Sequence, residues 1–459
     1  MGTSAVLTGS IQPGTAWIRG DVYNRNSTSP QRLAGQKIAV SRPDALVNAT
    51  GFYHTVSQPT YAEFDLAQVV NVKNVPAHPV LGDGATDDAA HIQAILNESV
   101  GKVVYFPYGI YLLGDTVVVP PGSRLVGEAF TQLSATGDKF KDTSKPRPMI
   151  RVGNPGDVGV AQLHDFVFTV NDVLPGAVLV EVNMAGAQPG DVAFFFCHFR
   201  VGGAKGSKLW NNCAKPATCN AARLAAHLTA SSSSYWEHTW AWSGDMDLDG
   251  GGSTPLASPA GGFLIEARGP GTWMLGLGAE HHELYQVNIH GARDVFVGLM
   301  EAETSHWQGN GTTYYPPAPW SSAPLWPSDP DFSWCAPADA QCRMGLYQIV
   351  RNSTGVNLYS QGWWTFVMGP QRTFCAADCQ DNGALYAGNE RLFAYGIGTI
   401  NVKNLILEEK TAGSGVGVKL TAVVTHADNQ GAVHDVFQTA VVAAYLRESG
   451  DADGVGSLS

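Results

Sequence analysis

The stretch that decides the fold is residues 80–128, which begin VLGDGATDDAAHIQAIL and continue, from residue 101, as GKVVYFPYGIYLLGDTVVVPPGSRLVGE. The first part predicts a Gly/Asp turn followed by a short amphipathic helix. Its N-cap candidates are Thr86 and Asp87, and its apolar face consists of Ile92, Ile95 and Leu96. The second part predicts three short strands broken by Gly and Pro. Their bounds are Val103–Phe106, Ile110–Leu112 and Thr116–Val119.

The rhythm of short apolar runs continues through most of the remaining chain. Examples are AQLHDFVFTV (161–170), DVAFFFCHFR (191–200) and RLFAYGIGTINVKNLILEEK (391–410). No fixed-length repeat accompanies them and the loops are very uneven, which is typical of a parallel β-helix whose loops leave at the corners of stacked coils. An array of β-sandwiches is the alternative. The phrase INVKNLIL (400–407) favours the β-helix, because an Asn between apolar runs can stack at a corner.

Composition supports an all-β protein. The 459 residues include 52 Gly and 26 Pro, and only 15% are charged, so helices joined by ion pairs do not dominate. The net charge of -12 argues against nucleic acid, which is bound by clustered Lys and Arg. No stretch is long and apolar enough to span a membrane. A soluble protein acting on a neutral or cationic partner fits these features.

The seven cysteines predict three local disulfides and one free thiol. None of the close spacings is C-x2-C, which argues against structural zinc. The remaining cysteine, Cys197, lies in the apolar run AFFFCHF. The predicted pairs are Cys213 with Cys219, Cys335 with Cys342, and Cys375 with Cys379.

Glycosylation sequons indicate the same oxidising compartment as the cysteine pairs. We therefore expect a secreted protein, although the opening MGTSAVLTGSIQPGTAWIRG is not a signal peptide. That opening predicts either a removed signal or a piece of a longer protein. The five candidate glycosylation sites are Asn26, Asn48, Asn97, Asn310 and Asn352.

Two sets of motifs resemble known proteins. The segment 82–128 resembles the opening of the pectate-lyase-like right-handed β-helix superfamily. AAHLTASSSSYWEHTWAWSGDMDLD (225–249), GLGAEHHELYQVNIHGARDVFVGLMEAETSHWQ (276–308), AQCRMGLYQIV (340–350) and VNLYSQGWWTFV (356–367) resemble the C-terminal half of glycoside hydrolase family 55. That resemblance implies a right-handed, single-stranded parallel β-helix with long loops, and exo-acting β-1,3-glucanase activity.

The resemblance also implies a division of the chain. Members of the family consist of two β-helix halves packed side by side, and only the second half is recognisable here. Residues 1–75 are expected to be the end of a missing N-terminal half plus a linker, and residues 76–459 the C-terminal β-helix. In the family the first half lends polar groups that hold the catalytic water, so its absence raises the alternative of a non-catalytic glucan-binding or structural fragment.

The catalytic residues implied by the resemblance are Glu303, the general acid, and Glu280, which helps to orient or activate water. They lie 23 residues apart, about one coil, which would place them side by side on stacked strands. Alternation along the strand predicts Phe296, Met300 and Ala302 on one face, and Val297, Leu299, Glu301 and Glu303 on the outer face. An inverting reaction requires a separation of about 6.5–9.5 Å between the two carboxyls. Glu283 and Glu301 are interpreted as solvated surface carboxylates.

Sugar binding requires aromatic rings and polar groups around these acids. Alternation places Trp240 and Trp242 on one face, and one of the adjacent Trp363 and Trp364 should point to the core. The aromatic loop 306–335 is expected to wall a pocket, which would explain exo action. The predicted substrate-binding residues are Trp242, Asp245, Tyr285, His306 and Trp307.

No cofactor and no metal are predicted. The motif EHHE (280–283) suggests a metal, but adjacent histidines on a strand point to opposite faces, and H-E-x-x-H is absent. A polysaccharide lyase of the wider superfamily is a further alternative. It would require a Ca²⁺ site and a basic residue beside the acids, and the strand segments here show few basic residues.

Overall fold

The structure is a computed structural model that describes residues 7, 9–24, 27–213, 219–248, 250–252, 257–306, 315–321, 323–365, 378–410, 419–429 and 438–448. Strands dominate these residues. The first half contains β1 Thr15–Asn24, β2 Gln31–Ala39, β3 Val69–Asn71, β4 Asp83–Asp87, β5 Val103–Phe106, β6 Ile110–Leu113, β7 Val117–Val119, β8 Ser123–Ala135, β9 Arg147–Val152, β10 Ala161–Val170, β11 Ala177–Val182, β12 Val192–Phe195 and β13 His198–Gly202. The second half contains β14 Leu224–Leu228, β15 Tyr235–Gly244, β16 Gly261–Ile265, β17 Thr272–Glu280, β18 Tyr285–His290, β19 Arg293–Glu303, β20 Leu346–Arg351, β21 Thr354–Trp364, β22 Gln380–Ala387, β23 Glu390–Ile400, β24 Val402–Lys410, β25 Lys419–Thr425 and β26 Thr439–Arg447.

Helices are few and short among the described residues. The α-helices are α1 Ala89–Glu98 and α2 Lys208–Asn212, and single 3-10 turns occur at Asp44–Leu46, Leu66–Gln68, Val72–Asn74 and Asp138–Phe140. No helix in the described ranges is long and apolar enough to cross a membrane.

The strands form two long sheets. A 16-stranded sheet has the central order β1-β26-β23-β21-β19-β17-β15-β12-β10-β8-β5-β3, and a 10-stranded sheet has the order β25-β24-β22-β20-β18-β16-β14-β11-β9-β7. Each coil contributes a strand to each sheet, and neighbouring strands pair in parallel from β3 to β24. The predicted parallel β-helix is therefore confirmed. Antiparallel pairs occur at the two ends of the chain, between β1 and β2, β23 and β26, and β24 and β25.

The interior of the coils is one continuous apolar core. Stacked side chains from successive strands fill it, as where Phe194 lies against Trp236 with 3.7 Å between ring centroids. Parallel strands buried on one face gain most of their stability from such packing. The free thiol of Cys197 lies in this core, as the sequence predicted.

The stretch that decides the fold forms as predicted, with one shift. The strands Val103–Phe106 and Ile110–Leu113 match, and the apolar face of α1 is buried. The N-cap is Asp88, one residue later than expected. The Asp88 carboxylate accepts hydrogen bonds from the backbone of Leu81 and Gly82, at 2.9 Å each, so it ties the turn to the helix start.

A bend in the middle of the longer strands of the 16-stranded sheet turns each coil at one corner. His238, Gly276, Leu299, Ser360 and Gly396 occupy this corner in five successive strands, and all five have a positive φ of 53–68°. One left-handed residue interrupts the regular alternation of side chains. As a result, the prediction for β19 is wrong before the bend and right after it.

In β19, Val295 and Val297 belong to the interior core, whereas Phe296 points outward into a separate cluster with Tyr53. After the bend at Leu299, Met300 and Ala302 point inward and Glu301 and Glu303 point outward. The predicted shared face of Phe296 with Met300 does not exist. The outward position of both glutamates is confirmed.

The N-terminal residues return along the β-helix. β1 extends the 16-stranded sheet by pairing with β26, and residues 40–68 then run over the outer face of that sheet. Tyr53 stacks on Phe296 at 4.0 Å between centroids, and the Tyr61 hydroxyl lies 2.8 Å from Nε2 of His164. The indole of Trp273 donates to the carbonyl of Leu46 at 3.0 Å. The division at residue 75 stays a prediction.

Candidate active site

Beyond the corner, two rows of outward-facing positions run along the β-helix axis. Strand register defines them, because paired residues on neighbouring strands lie side by side. The Glu301 row consists of Val167, His198, Trp240, Gly278, Glu301, Gly362 and Gly398. The Glu303 row consists of Thr169, Arg200, Trp242, Glu280, Glu303, Trp364 and Ile400.

Glu280 and Glu303 are direct neighbours in the second row, as their separation in sequence predicted. Both carboxylates are largely buried, with side chains 15% and 26% exposed. The indole Nε1 of Trp240 donates to Oε1 of Glu280 at 2.7 Å. This hydrogen bond holds one carboxylate of the pair in position.

His281 lies between the two acids. Its Nε2 is 3.5 Å from Oε2 of Glu303 and 3.8 Å from Oε2 of Glu280. Its Nδ1 is 2.6 Å from the carbonyl oxygen of Thr304, and because a carbonyl only accepts, Nδ1 must carry a hydrogen. In the neutral ring Nε2 is therefore an acceptor, facing the carboxyl of Glu303. The ring stacks on His306 with 4.3 Å between centroids, which holds it in place.

The acids influence one another's protonation. Burial, then the charges of Glu280 and Asp245, raise the pKa of Glu303 to about 7. The pKa of Glu301 is raised more than that of Glu303, by burial first and then by the charge of Glu280 and a hydrogen bond to it. Like charges this close cannot all ionise at neutral pH. Glu303 can therefore hold a proton at neutral pH, which a general acid requires.

Two of the predicted sugar-binding residues lie in this site. Trp242 is next to Glu280 in register and stacks on Trp240 with 4.8 Å between centroids, so the two rings share one face as predicted. The guanidinium of Arg200 lies 6.0 Å from the centre of the Trp242 ring. Asp245 is buried, and its charge reaches Glu303.

The other three predicted sugar-binding residues are not seen to line the groove. His306 is buried behind His281, with Nδ1 3.4 Å from both the Ser243 hydroxyl and the Ala257 carbonyl. Trp307 lies outside the described residues. The prediction for Tyr285 is wrong, because Tyr285 belongs to the 10-stranded sheet and donates its hydroxyl to Oδ1 of Asp329 at 3.2 Å. Tyr285 is close to Glu280 in the sequence, but the chain turns between them and Tyr285 lies on the other sheet.

The two glutamates interpreted as solvated are not solvated. Glu301 is partly buried in the adjacent row, hydrogen-bonded to Glu280 and close to Glu303. Glu283 is fully buried, neither of its carboxylate oxygens has a hydrogen-bond partner among the described residues, and burial raises its pKa well above the usual value. The positive φ of His281, 68°, ends β17 and redirects the chain, which places Glu283 inside.

Sequence reasoning missed Glu301, His281, Trp240 and Arg200 as parts of the site. The signal that could have found three of them is register. Glu301 and Trp240 lie two positions before Glu303 and Trp242 in the same strands, so they must face outward in the adjacent row. Arg200 is paired with Trp242 on the neighbouring strand. His281 carried no such signal, since its orientation follows from the left-handed bend.

The loop that was expected to wall the site lies elsewhere in its described part. Residues 315–321 and 323–335 pack on the outer face of the 10-stranded sheet. There Asp329 forms a buried ion pair with Arg223. Residues 307–314, which connect this segment to the site, are outside the described ranges.

Two of the three predicted disulfides are present, Cys213–Cys219 and Cys335–Cys342. Cys379 is also disulfide-bonded, and its expected partner Cys375 lies outside the described residues.

The sequons are partly described. Asn48, Asn97 and Asn352 are exposed, as glycan acceptors must be, while Asn26 and Asn310 are outside the described residues. Glycosylation of all five stays a prediction.

One donor atom from each of Glu280, His281 and Glu303 lies within 4.8 Å of the others, a spacing that a metal ion could bridge. The two histidines of EHHE diverge as alternation predicted, but His281 lies beside both glutamates. His282 turns away, with Nδ1 2.9 Å from Oε1 of Gln286. A chelator belongs in any assay of this site.

The fold and the site together define a parallel β-helix with a groove of carboxylates and tryptophans on one sheet. Residues 69–171 match the family model described as rhamnogalacturonase A/epimerase, pectate lyase-like. The chain is 36% identical over 394 residues to a glucan endo-1,3-β-glucosidase of Trichoderma harzianum, covering 82% of this chain and 50% of that protein. It is 30% identical over 421 residues to a glucan 1,3-β-glucosidase of Cochliobolus carbonum, covering 88% and 51%.

The predicted relationship to the glucan 1,3-β-glucosidases is confirmed by these relatives. The chain spans about half the length of each. A third relative is a non-secreted LysM effector of Penicillium expansum, 32% identical over 418 residues, which cover 88% of this chain and 28% of that protein.

Proposed function

We propose that this chain hydrolyses β-1,3-glucan from the chain end and releases glucose, with Glu303 as the general acid. The observation that carries the proposal is the raised pKa of Glu303, about 7, in a groove lined by Trp240 and Trp242. A carboxyl that keeps its proton near neutral pH beside a sugar-stacking surface is the arrangement that glycoside hydrolysis needs. The glucan 1,3-β-glucosidases among its relatives supply the substrate class.

Hydrolysis breaks the bond between the anomeric carbon and the glycosidic oxygen. Glu303 transfers its proton to that oxygen as it leaves, and a water adds to the anomeric carbon and gives up its own proton to a base. His281 faces the carboxyl of Glu303 through Nε2, 3.5 Å away, and can orient it. Trp242 and Asp245 would hold the glucose unit, by stacking on the ring and by accepting from hydroxyls.

The role of Glu280 is limited by its distance from Glu303. One oxygen of each carboxylate lies within 4.8 Å of the other, closer than the separation of about 6.5–9.5 Å that lets an inverting pair admit a water. We therefore assign to Glu280 the electrostatic part: its charge raises the pKa of Glu303, and Trp240 holds it in position. In the inverting reaction that we propose, the base that activates water lies outside this pair.

The close spacing favours one specific rival. Retaining enzymes place their carboxyls about 5–5.5 Å apart and use the second one as a nucleophile. If Glu280 acts in this way, the glucose released is the β-anomer, whereas the inverting reaction releases the α-anomer. The anomer therefore decides between the two mechanisms directly.

The compartment is also a proposal. Disulfides persist in oxidising compartments, and the two described pairs support secretion. The relative named as a non-secreted effector is a reminder that similar chains occur in proteins of other destinations.

The test measures glucose and its anomer by NMR during laminarin digestion, for the unmodified chain and for Glu303→Gln. Loss of the general acid should lower kcat by about 10²–10⁴-fold. Glu237→Gln is the matched control, because Glu237 lies on the same sheet two coils before Glu303 and accepts a hydrogen bond from the Tyr235 hydroxyl at 2.8 Å. It should leave turnover unchanged.

Three further arms separate the rivals. Laminarin binding without turnover would identify a non-catalytic glucan-binding chain. Activity on pectate that requires added Ca²⁺ would identify a lyase. Loss of laminarin hydrolysis in a chelator, restored by a divalent cation, would assign a metal to Glu280, His281 and Glu303.

A further inference from the structure

On one side of the acids, the Glu301 row carries glycines instead of large side chains. After Glu301 the first row continues with Gly362 and Gly398, and β26 then adds Val441 beside Gly398. A Cβ built at Gly362 would have only the carbonyl oxygen of Met300 within 4 Å, at 3.8 Å, and one built at Gly398 would have nothing among the described residues. The glycines therefore form an open floor, and not a site where backbone or side chains pack closely.

An exposed tryptophan borders this floor. Trp364 is paired with Glu303 and is 48% exposed, whereas Trp363 is buried in the core, as alternation predicted. The Tyr347 hydroxyl donates to the carbonyl of Trp364 at 2.8 Å, which fixes the backbone from which the ring projects. A large aromatic ring held half-exposed beside a carboxylate pair is a candidate binding surface.

The opposite side of the acids is closed. Trp240 and Trp242 stack there, and Arg200 lies over Trp242. Gly278 leaves no space either, because a Cβ on it would lie 2.7 Å from Cδ1 of Trp240. A glucose unit at Trp242 would therefore meet a wall on that side, and among the described residues the glycines offer the open direction for the rest of its chain.

We propose that Gly362, Gly398, Trp364 and Val441 form a trench that binds the leaving part of a β-1,3-glucan chain. From Glu301 to Val441 the trench crosses three strand spacings, about 14 Å at ~4.8 Å each, which is long enough for an oligosaccharide. The positions that line it are glycine or uncharged, so it suits a neutral polymer. This inference rests on the proposed function and adds the direction in which the chain lies.

The trench predicts a dependence on substrate length. Trp364→Ala should lower kcat/KM for laminarihexaose by about tenfold, since it removes one stacking surface, while Trp364→Phe should retain most activity. Gly398→Leu should give a similar loss by filling the floor. Hydrolysis of 4-nitrophenyl β-glucoside should stay within about twofold for Gly398→Leu, because its short leaving group does not reach two strands beyond Glu301, and Trp364→Ala should lose less on it than on laminarihexaose.

Phe196→Ala is the matched control. Phe196 is a 40% exposed aromatic residue on the same sheet, on the other side of Trp240, where it lines a hollow of about 150 Å³ with Asp165 and His198. This variant should behave as the unmodified chain. Selective loss of hexaose hydrolysis in Phe196→Ala would place the glucan in that hollow and overturn the trench.

Equal losses on both substrates in Trp364→Ala and Gly398→Leu would also overturn it, because they would indicate damage to the acids. If the unmodified chain hydrolyses neither substrate, the proposed function fails, and the trench is tested by laminarin binding in affinity electrophoresis. Weaker binding of Trp364→Ala but not Phe196→Ala would support the trench. Equal binding, or none by the unmodified chain, would refute it.

Discussion

The outer faces of the two sheets differ in whether a basic side chain neutralises their buried acids. On the 10-stranded sheet, Trp320 and Phe332 of the covering loop pack with Leu264 and Ile349 of the strands. Asp329, an acid of that loop, is neutralised by Arg223. On the 16-stranded sheet, Glu280, Glu301 and Glu303 lie together, and among the described residues no Lys or Arg forms an ion pair with them.

The difference separates a structural arrangement from a functional one. Burying a charge costs several kcal/mol, and a partner with additional hydrogen bonds offsets that cost. Asp329 has such partners, whereas the charge of Glu280 raises the pKa of both Glu301 and Glu303. Unneutralised acids weaken a protein, so a cluster of them in a groove indicates chemistry and not stability.

The largest effect is expected from breaking the neutralised side. In Arg223→Met, Asp329 keeps its charge and loses its buried partner, which is also flanked by Trp320 and Trp326 at 5.3 and 5.2 Å. The free energy of unfolding should fall by about 3–5 kcal/mol. Urea denaturation measures the loss, with laminarin turnover of the folded protein as a second readout.

The double variant Arg223→Met/Asp329→Asn is the control, because it removes both charges. It should regain part of the stability lost in the single variant. A large loss of turnover at unchanged stability in Arg223→Met would mean that the covered face takes part in catalysis, and the contrast between the faces would fail.

A second prediction concerns Glu283, a buried acid whose carboxylate oxygens have no hydrogen-bond partner among the described residues and which lies outside the site. Its pKa is raised in the folded state, so the folded chain holds a proton that the unfolded chain releases above pH ~4.3. Stability is therefore fully present below pH ~4.3 and is lost as pH rises, by about 1.4 kcal/mol per pH unit, until the folded pKa is reached. Glu283→Met should remove this loss.

The expected outcome is a melting temperature for Glu283→Met that equals that of the unmodified chain near pH 4 and exceeds it increasingly towards pH 8. Glu63→Met is the matched control, since Glu63 is exposed, and its difference should not change with pH. Destabilisation of Glu283→Met at pH 8 would show that the carboxylate is ionised and serves a purpose in the fold.

The sequence predicted the parts of this molecule that depend on local pattern. Gly/Pro-punctuated runs gave the strands near residues 103–119 to within a residue, and a separation of one coil placed Glu280 beside Glu303. The errors in side-chain direction had one physical cause. A single left-handed residue, Leu299 in β19 or His281 after β17, changes which way the following side chains point.

Non-glycine residues rarely adopt that conformation, so pattern reasoning has no reason to place it there. The error on Glu283 and the error on Tyr285 both follow the bend at His281. Neither the burial of Glu283 nor the move of Tyr285 to the 10-stranded sheet is visible in the letters EHHELYQ (280–286). The stacked positive-φ corner is a property of the assembled coils.

The smallest effect tests the electrostatics of the open face. Activity requires protonated Glu303, so kcat/KM should fall as pH rises through about 7. The charge of Glu280 raises the pKa of Glu303 more than the charge of Asp245 does. Asp245→Asn should therefore move this alkaline limb to lower pH, and Glu280→Gln should move it further. Rates on 4-nitrophenyl β-glucoside across pH 5–9 measure the shift separately from any change in kcat.

Asp247→Asn is the matched control for this shift. Asp247 is buried two residues from Asp245 but is not among the groups that raise the pKa of Glu303, so its limb should stay in place. A limb that moves in Asp247→Asn and stays in Asp245→Asn would assign the charge beside Glu303 to the wrong aspartate. If the alkaline limb stays in place in Asp247→Asn, Asp245→Asn and Glu280→Gln, burial alone sets the pKa of Glu303. The repulsion that distinguishes this face from the covered one would then have no role in catalysis.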